Sequence, residues 1–155
     1  MTMRMQYPKA SPECYRKLLE LEKAVQSSGL EHSLIELVKL RASQINGCAF
    51  CVDMHWKDAR AEGENEERLY MLNAWEEATV YSERERAALA LTEAVTLVSE
   101  THVPDAVYDE AKKHFTDTEL ANLVIAIATI NAWNRLAITF RSEPGKYQSA
   151  KRAKQ

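Results

Sequence analysis

An all-helical, single-domain fold is what this chain predicts, and three observations predict it. Four glycines and four prolines in 155 residues are too few for the many tight turns of an all-β protein. Two capping boxes, Ser82 to Glu85 and Thr116 to Glu119, stand directly before apolar runs with helical spacing. No stretch alternates apolar and polar residues strictly, so strands find no support. With 46% hydrophobic residues the chain can build a core without disulfide or metal staples.

Ser11-Pro12 marks the first helix start, with serine as cap and proline at the first helical position. Leu18, Leu19, Leu21 and Val25 supply its apolar stripe, and Ser27-Ser28-Gly29 ends it. A second helix starts near 31–33 and runs toward Ile45, where Asn46-Gly47 breaks it. A third begins close to Cys48, continues through His55 to about Glu62, and stops at Gly63. A short helix covers 66–73. The Ser82 capping box opens a helix that extends to Glu100, and Val103-Pro104 opens another that reaches His114. The Thr116 box opens the long apolar helix 117–140, and Pro144-Gly145 closes the ordered part. The count is six or seven helices. They form one domain over residues 1–140, followed by a basic tail over 141–155.

A net charge of -3 offers no concentrated basic face for nucleic acid. Arg141, Lys146, Lys151, Arg152 and Lys154 make the tail locally basic, which reads as a solvated chain end. The N-terminal residues contain no apolar run fit for a signal peptide. The longest apolar stretch, Leu120 to Phe140, carries Asn122, Asn131, Asn134 and Arg135, which are costly in hydrocarbon. It predicts a buried core helix and not a membrane span. The cytoplasm is the expected location, and there a close cysteine pair points to redox or metal chemistry.

That pair lies in the segment from Glu36 to His55. Cys48 and Cys51 are three residues apart, so on a first helical turn their sulfurs can meet. The Asn46-Gly47 break puts Cys48 at a helix N-terminus, where unpaired N–H groups favour a thiolate. His55, four residues after Cys51, shares its helix face and can take the thiol proton. Glu36 is the candidate to orient that imidazole if the two helices pack as an antiparallel pair. Two other readings stand beside this one. One takes the cysteines as small buried hydrophobes with a surface histidine. Alternatively, Cys48, Cys51 and His55 offer three zinc ligands, with Glu36 or Asp53 as a fourth. A second C-x-x-C or histidine pair, which a usual zinc site would have, is not in the sequence.

Glu36, then Cys48-Ala-Phe-Cys51 and His55, spaced by twelve, three and four, resemble the core motif of the alkylhydroperoxidase AhpD-like, carboxymuconolactone decarboxylase superfamily. The resemblance is strongest over about residues 30–62 and extends more loosely to Asn131-Ala-Trp-Asn-Arg135. It implies a compact AhpD-like helical bundle that assembles as a homo-oligomer, a trimer or hexamer. It implies an antioxidant peroxidase without a cofactor or metal. Cys51 would attack a small-molecule hydroperoxide to give a sulfenic acid, and Cys48 would resolve it as a disulfide. Glu36 and His55 would form the proton relay, and an external dithiol, such as a lipoyl-bearing protein, would reduce the pair. Neither nucleic acid nor membrane is an implied partner. AhpD itself has a histidine where this chain has Phe50, which instead fits a subgroup with C-x-[YF]-C. The decarboxylase branch lacks the cysteine pair, so its non-redox chemistry is the first alternative; a metal-binding or redox-sensing module is the second.

Of the remaining candidates, Cys14 is expected to be at least partly buried, and His32, His102 and His114 fall near helix ends without a catalytic role. Trp56, Trp75 and the Trp133-Asn134-Arg135 run read as core or contact residues; the run could also line a pocket over the cysteines. Arg41 could pair with an acid elsewhere.

Overall fold

A computed structural model describes residues 2–150. Among them are nine α-helices and one 3-10 turn, with no strand. They are α1 (Tyr7–Ala10), α2 (Pro12–Gln26), α3 (His32–Ile45), α4 (Ala49–Ala61), α5 (Glu66–Tyr70), α6 (Glu83–Thr96), α7 (Val98–Thr101), α8 (Asp105–His114) and α9 (Asp117–Phe140), with the 3-10 turn at Leu72–Ala74. The all-helical class holds, and the helix count exceeds six or seven for local reasons. α1 is a single turn with proline in its first positions. The helix expected to reach Glu100 breaks at Leu97, whose backbone (φ -98°, ψ 35°) leaves the helical region, and α7 is the remainder. Both capping boxes form: Ser82 and Thr116 accept the Glu85 and Glu119 N–H groups, and each glutamate reaches back to its cap residue.

α3 is the central element. Every residue from Leu34 to Leu40 is buried, so this helix has neighbours all round. On one side Leu34, Ile35 and Val38 pack with Leu91 of α6, Ala111 of α8 and Leu123 and Ile127 of α9. On the other, Leu37 and Leu40 pack with Ala59 of α4, Leu69, Leu72 and Leu89. Each such fully buried leucine or isoleucine contributes about 1.5–3 kcal/mol of transfer free energy.

α9 is long and apolar enough to cross a membrane by length and composition. Here it packs against α2, α3, α4, α6 and α8. Its asparagines are satisfied inside the protein. Asn46, in the turn after α3, donates to the side-chain oxygens of Asn131 and Asn134, both at 2.9 Å. Asn134 donates to the Ser43 hydroxyl at 3.0 Å, and Asn131 to Thr96 at 3.1 Å. This network ties the end of α3 to the middle of α9.

Two expectations on α2 are corrected. Cys14 is exposed, and Leu21 is 40% exposed. They lie seven residues apart and share one face, while the inward face runs through Tyr15, Leu18, Leu19, Glu22 and Val25. Apolar side chains occur on both faces of α2, so composition alone did not fix which one turns inward. Arg41 pairs with Glu93 at 2.8 Å, and Trp75 donates to the same carboxylate at 2.7 Å. His102 ends α7 in the left-handed region (φ 51°). His114 meets Glu110 at 3.2 Å at the end of α8. Trp56 is a half-buried member of the α4 core.

Beyond α9 the chain folds back on α4. Arg141 turns it in the left-handed region. Lys57 of α4 then donates to the Gly145 and Tyr147 carbonyls, at 3.3 and 3.0 Å. Asp53 accepts the Gly145 N–H at 3.0 Å. Of the basic tail, Lys151, Arg152 and Lys154 lie outside the described residues.

Candidate active site

The turn between α3 and α4 builds the site. Asn46 ends α3, and Gly47 takes the left-handed conformation (φ 68°) that a residue with a Cβ disfavours. The Gly47 N–H bonds the Gln44 carbonyl at 3.2 Å and the Cys48 N–H bonds the Ser43 carbonyl at 2.9 Å, which is the hydrogen-bond pattern of a Schellman motif. Cys48 is at the same time the N-cap of α4: its Sγ accepts the Cys51 N–H at 3.3 Å. One residue thus closes the first helix with its backbone and opens the second with its side chain.

The two sulfurs are joined as a disulfide, with the Cα atoms 5.3 Å apart, within the range such a bridge requires. Both cysteines are buried and pack with Ala137 of α9 and with Phe50. His55, one helical turn beyond Cys51, is also buried, and its Nδ1 lies 2.9 Å from Glu36 Oε2. A carboxylate at Nδ1 selects the tautomer that carries its proton there. That leaves Nε2, which has no hydrogen-bond partner among the described residues, as the basic nitrogen. The structure therefore brings Glu36, Cys48, Cys51 and His55 into one site.

Cys51, Glu36 and His55 line a cavity of about 1030 Å³, whereas Cys48 is not among its lining residues. Tyr7, Tyr15, Phe50, Met54 and Trp133 make much of the wall apolar. Tyr15 stands edge-on between Tyr7 and Trp133, with ring centroids 5.9 and 5.8 Å away. Trp133 thus belongs to the pocket, whereas Asn134 beside it serves the asparagine network. His32 lines the cavity as well, and its Nε2 contacts the Gln26 carbonyl at 3.1 Å.

Four further residues join the site that sequence reasoning did not single out. Lys39 is fully buried, lines the cavity, and donates to Glu22 of α2. Glu22 also accepts from Gln26 and from the Trp133 indole, both at 3.2 Å. Asp58 accepts the Tyr147 hydroxyl at 2.8 Å. Burial pushes the Tyr147 hydroxyl up from its ordinary pKa, and the Asp58 carboxylate adds to the shift. Glu36 and Lys39 were detectable as charges inside an otherwise apolar helix. Glu22 and Tyr147 carried no such signal.

The ligand set considered for zinc is arranged differently here. The cysteine sulfurs are bonded to each other, and Asp53 faces Lys57 and the Gly145 N–H. Among the described residues, the trio whose ligand atoms lie within 4.8 Å of one another is Glu36, His55 and Asp58.

Comparison with known proteins places the chain in a family. Residues 12–94 match the Carboxymuconolactone decarboxylase family. The chain belongs to that family. The chain is 43% identical over 138 residues to the uncharacterized protein YdfG of Bacillus subtilis (strain 168), covering 89% of this chain and 94% of YdfG. It is 48% identical to a crystal structure of ATU0492 from Agrobacterium tumefaciens, a protein of unknown function provisionally designated the antioxidant defence protein AhpD. That match has a TM-score of 0.91 and covers 94% of this chain and 100% of the other. The debrominase Bmp8 shares the fold at 20% identity and a TM-score of 0.78, covering 94% of this chain and 76% of Bmp8. The chain thus has the AhpD-like fold of the carboxymuconolactone decarboxylase family, with Cys48 and Cys51 bridged in its site.

Proposed function

We propose that this family member is a thiol-dependent hydroperoxide reductase. One observation carries the reading: two cysteines close enough to bridge stand beside a buried histidine–glutamate pair, and only the second cysteine faces the cavity. The steps balance as follows. The Cys51 thiol proton passes to His55 Nε2, while Glu36 holds Nδ1 and stabilises the imidazolium. The thiolate attacks the terminal oxygen of ROOH, the O–O bond breaks, and the alkoxide leaves as ROH with the proton from the imidazolium. Cys51 is now a sulfenic acid. The Cys48 thiol attacks that sulfur, water leaves, and the disulfide forms. An external dithiol, such as a lipoyl group, returns both thiols by exchange and becomes the disulfide itself.

The apolar, aromatic cavity supports an organic hydroperoxide over hydrogen peroxide. Exposed Ile125 and Ile138 on α9 support contact with further copies of the chain, and a trimer or hexamer is the number that the family resemblance implies. Such an enzyme would work in the cytoplasm, where reduced dithiols are available.

The test is thiol counting on reduced, metal-free protein. One equivalent of cumene hydroperoxide is expected to remove two of the three thiols and release one equivalent of cumyl alcohol. Retention of all three thiols overturns the reading. Non-redox chemistry is the second reading, favoured by the family match itself. It predicts turnover of a carboxylated lactone that survives Cys51→Ser.

A further inference from the structure

Glu22 of α2 meets Lys39 of α3 in the cavity wall, where two apolar side chains of similar volume would hold the helices together about as well. A buried ion pair contributes little over apolar residues of similar volume, because both charges lose their water. Yet Lys39 is 1% exposed, and Glu22 is held by three donors, Lys39, Gln26 and Trp133. Both line the cavity together with Glu36, Cys51 and His55. Both side chains face the one cavity, where a charge on His55 would hold the Glu22 carboxyl lower. We propose that Glu22, fixed by Lys39 and Trp133, is a second carboxylate of the proton relay, a positioning residue that acts on Cys51 through the charge of His55.

The division of labour follows from geometry. Glu36 touches the ring and sets its tautomer. Glu22 makes no hydrogen bond to the ring and supplies a fixed negative charge at longer range. That charge favours the imidazolium, the state in which the proton has left Cys51. Low polarity in a buried site strengthens such an interaction. Lys39 keeps Glu22 ionised: burial pushes the Glu22 carboxyl up, but the Lys39 charge and hydrogen bond, with Gln26 and His55, bring it below its ordinary value. The titratable groups that line the cavity with Glu22 and His55 are Tyr7 and Lys9 from α1, Tyr15 from α2, His32, Glu36 and Lys39 from α3, Cys51 and Asp58 from α4, Glu62 just after it, and Glu143 and Lys146 beyond α9; Tyr147 reaches Asp58, and α9 contributes the indole of Trp133.

This inference rests on the relay of the proposed function, and its test does not require a peroxide. In a Cys14→Ser, Cys48→Ser background, Cys51 is the one thiol that iodoacetamide can alkylate, and its rate is followed against pH. Glu22→Gln with Lys39→Met removes both charges, leaving neither buried alone. The midpoint of the curve is expected to move to higher pH, with alkylation at neutral pH about three- to tenfold slower. In a His55→Ala background the same double change should add no further shift. Glu22→Gln alone is read in the same way should the double variant not fold. Superimposed curves with and without the Glu22 charge overturn the inference, as does an equal shift without His55. A shifted curve in a protein that consumes no hydroperoxide removes the peroxidase reading and leaves the inference standing.

Discussion

His55 Nδ1 and Glu36 Oε2 meet at 2.9 Å across the contact between α4 and α3, with both side chains almost entirely out of solvent. Removing the imidazole strips a buried carboxylate of its hydrogen-bond donor. His55→Ala is therefore expected to destabilise the protein by about 3 kcal/mol in urea unfolding. It should also shift Cys51 alkylation to higher pH; a curve that does not move excludes His55 from activation of the thiol.

The two cysteines should fail in different ways. Cys51→Ser is expected to abolish hydroperoxide consumption, since the group that faces the cavity is gone. Cys48→Ser should allow at most one turnover, leaving a sulfenic acid that dimedone traps. Full steady-state activity in both variants would rule the mechanism out.

The asparagine network predicts a structural cost without a direct chemical one. Asn134→Leu leaves the Asn46 amide and the Ser43 hydroxyl short of a partner in a buried site. A loss of about 3 kcal/mol is expected, read as a lower urea midpoint at unchanged slope. A loss below about 1 kcal/mol would mean that neighbouring groups take up these bonds.

Acid should weaken the contact between α2 and α3. The Glu22 carboxyl titrates below its ordinary value in the folded protein, where burial raises it but Lys39 more than compensates. Its contribution is complete above the unfolded carboxylate value of about 4.3 and is lost as pH falls through the folded value. Glu22→Gln should flatten that acid limb in a series of thermal melts. Identical limbs in the two proteins would contradict the assignment.

Tyr147→Phe removes the hydroxyl that Asp58 accepts. We expect a stability loss of about 1 kcal/mol and faster amide exchange around 145–148. Exchange at the wild-type rate would show that Lys57 and Asp53 suffice to hold this segment.

Much of this architecture could be read from local patterns. The capping boxes, the Ser11-Pro12 start and the Asn46-Gly47 break all act within a few residues, and each boundary lies close to the predicted one. The same holds for Cys48, Cys51 and His55, whose spacing along one helix is set by its pitch. Glu36 came from the resemblance and from a conditional packing argument. Its meeting with His55 depends on how α3 and α4 pack, which spacing does not encode. Glu22 lies beyond reach for the same reason: it meets Lys39 and Trp133 from 17 and 111 residues away. Tyr147 was hidden in a stretch whose charge suggested a solvated end. Cys14 was misplaced because α2 offers apolar residues on two faces.

Because the Cys51 amide points at the Cys48 sulfur, it carries a spectroscopic consequence. That acceptor is a neutral bridge in one oxidation state and a thiol or thiolate in the other, so the amide proton experiences a different field in each. Its resonance should therefore jump when the couple is reduced, giving a label-free gauge of midpoint potential from ordinary nitrogen–proton spectra.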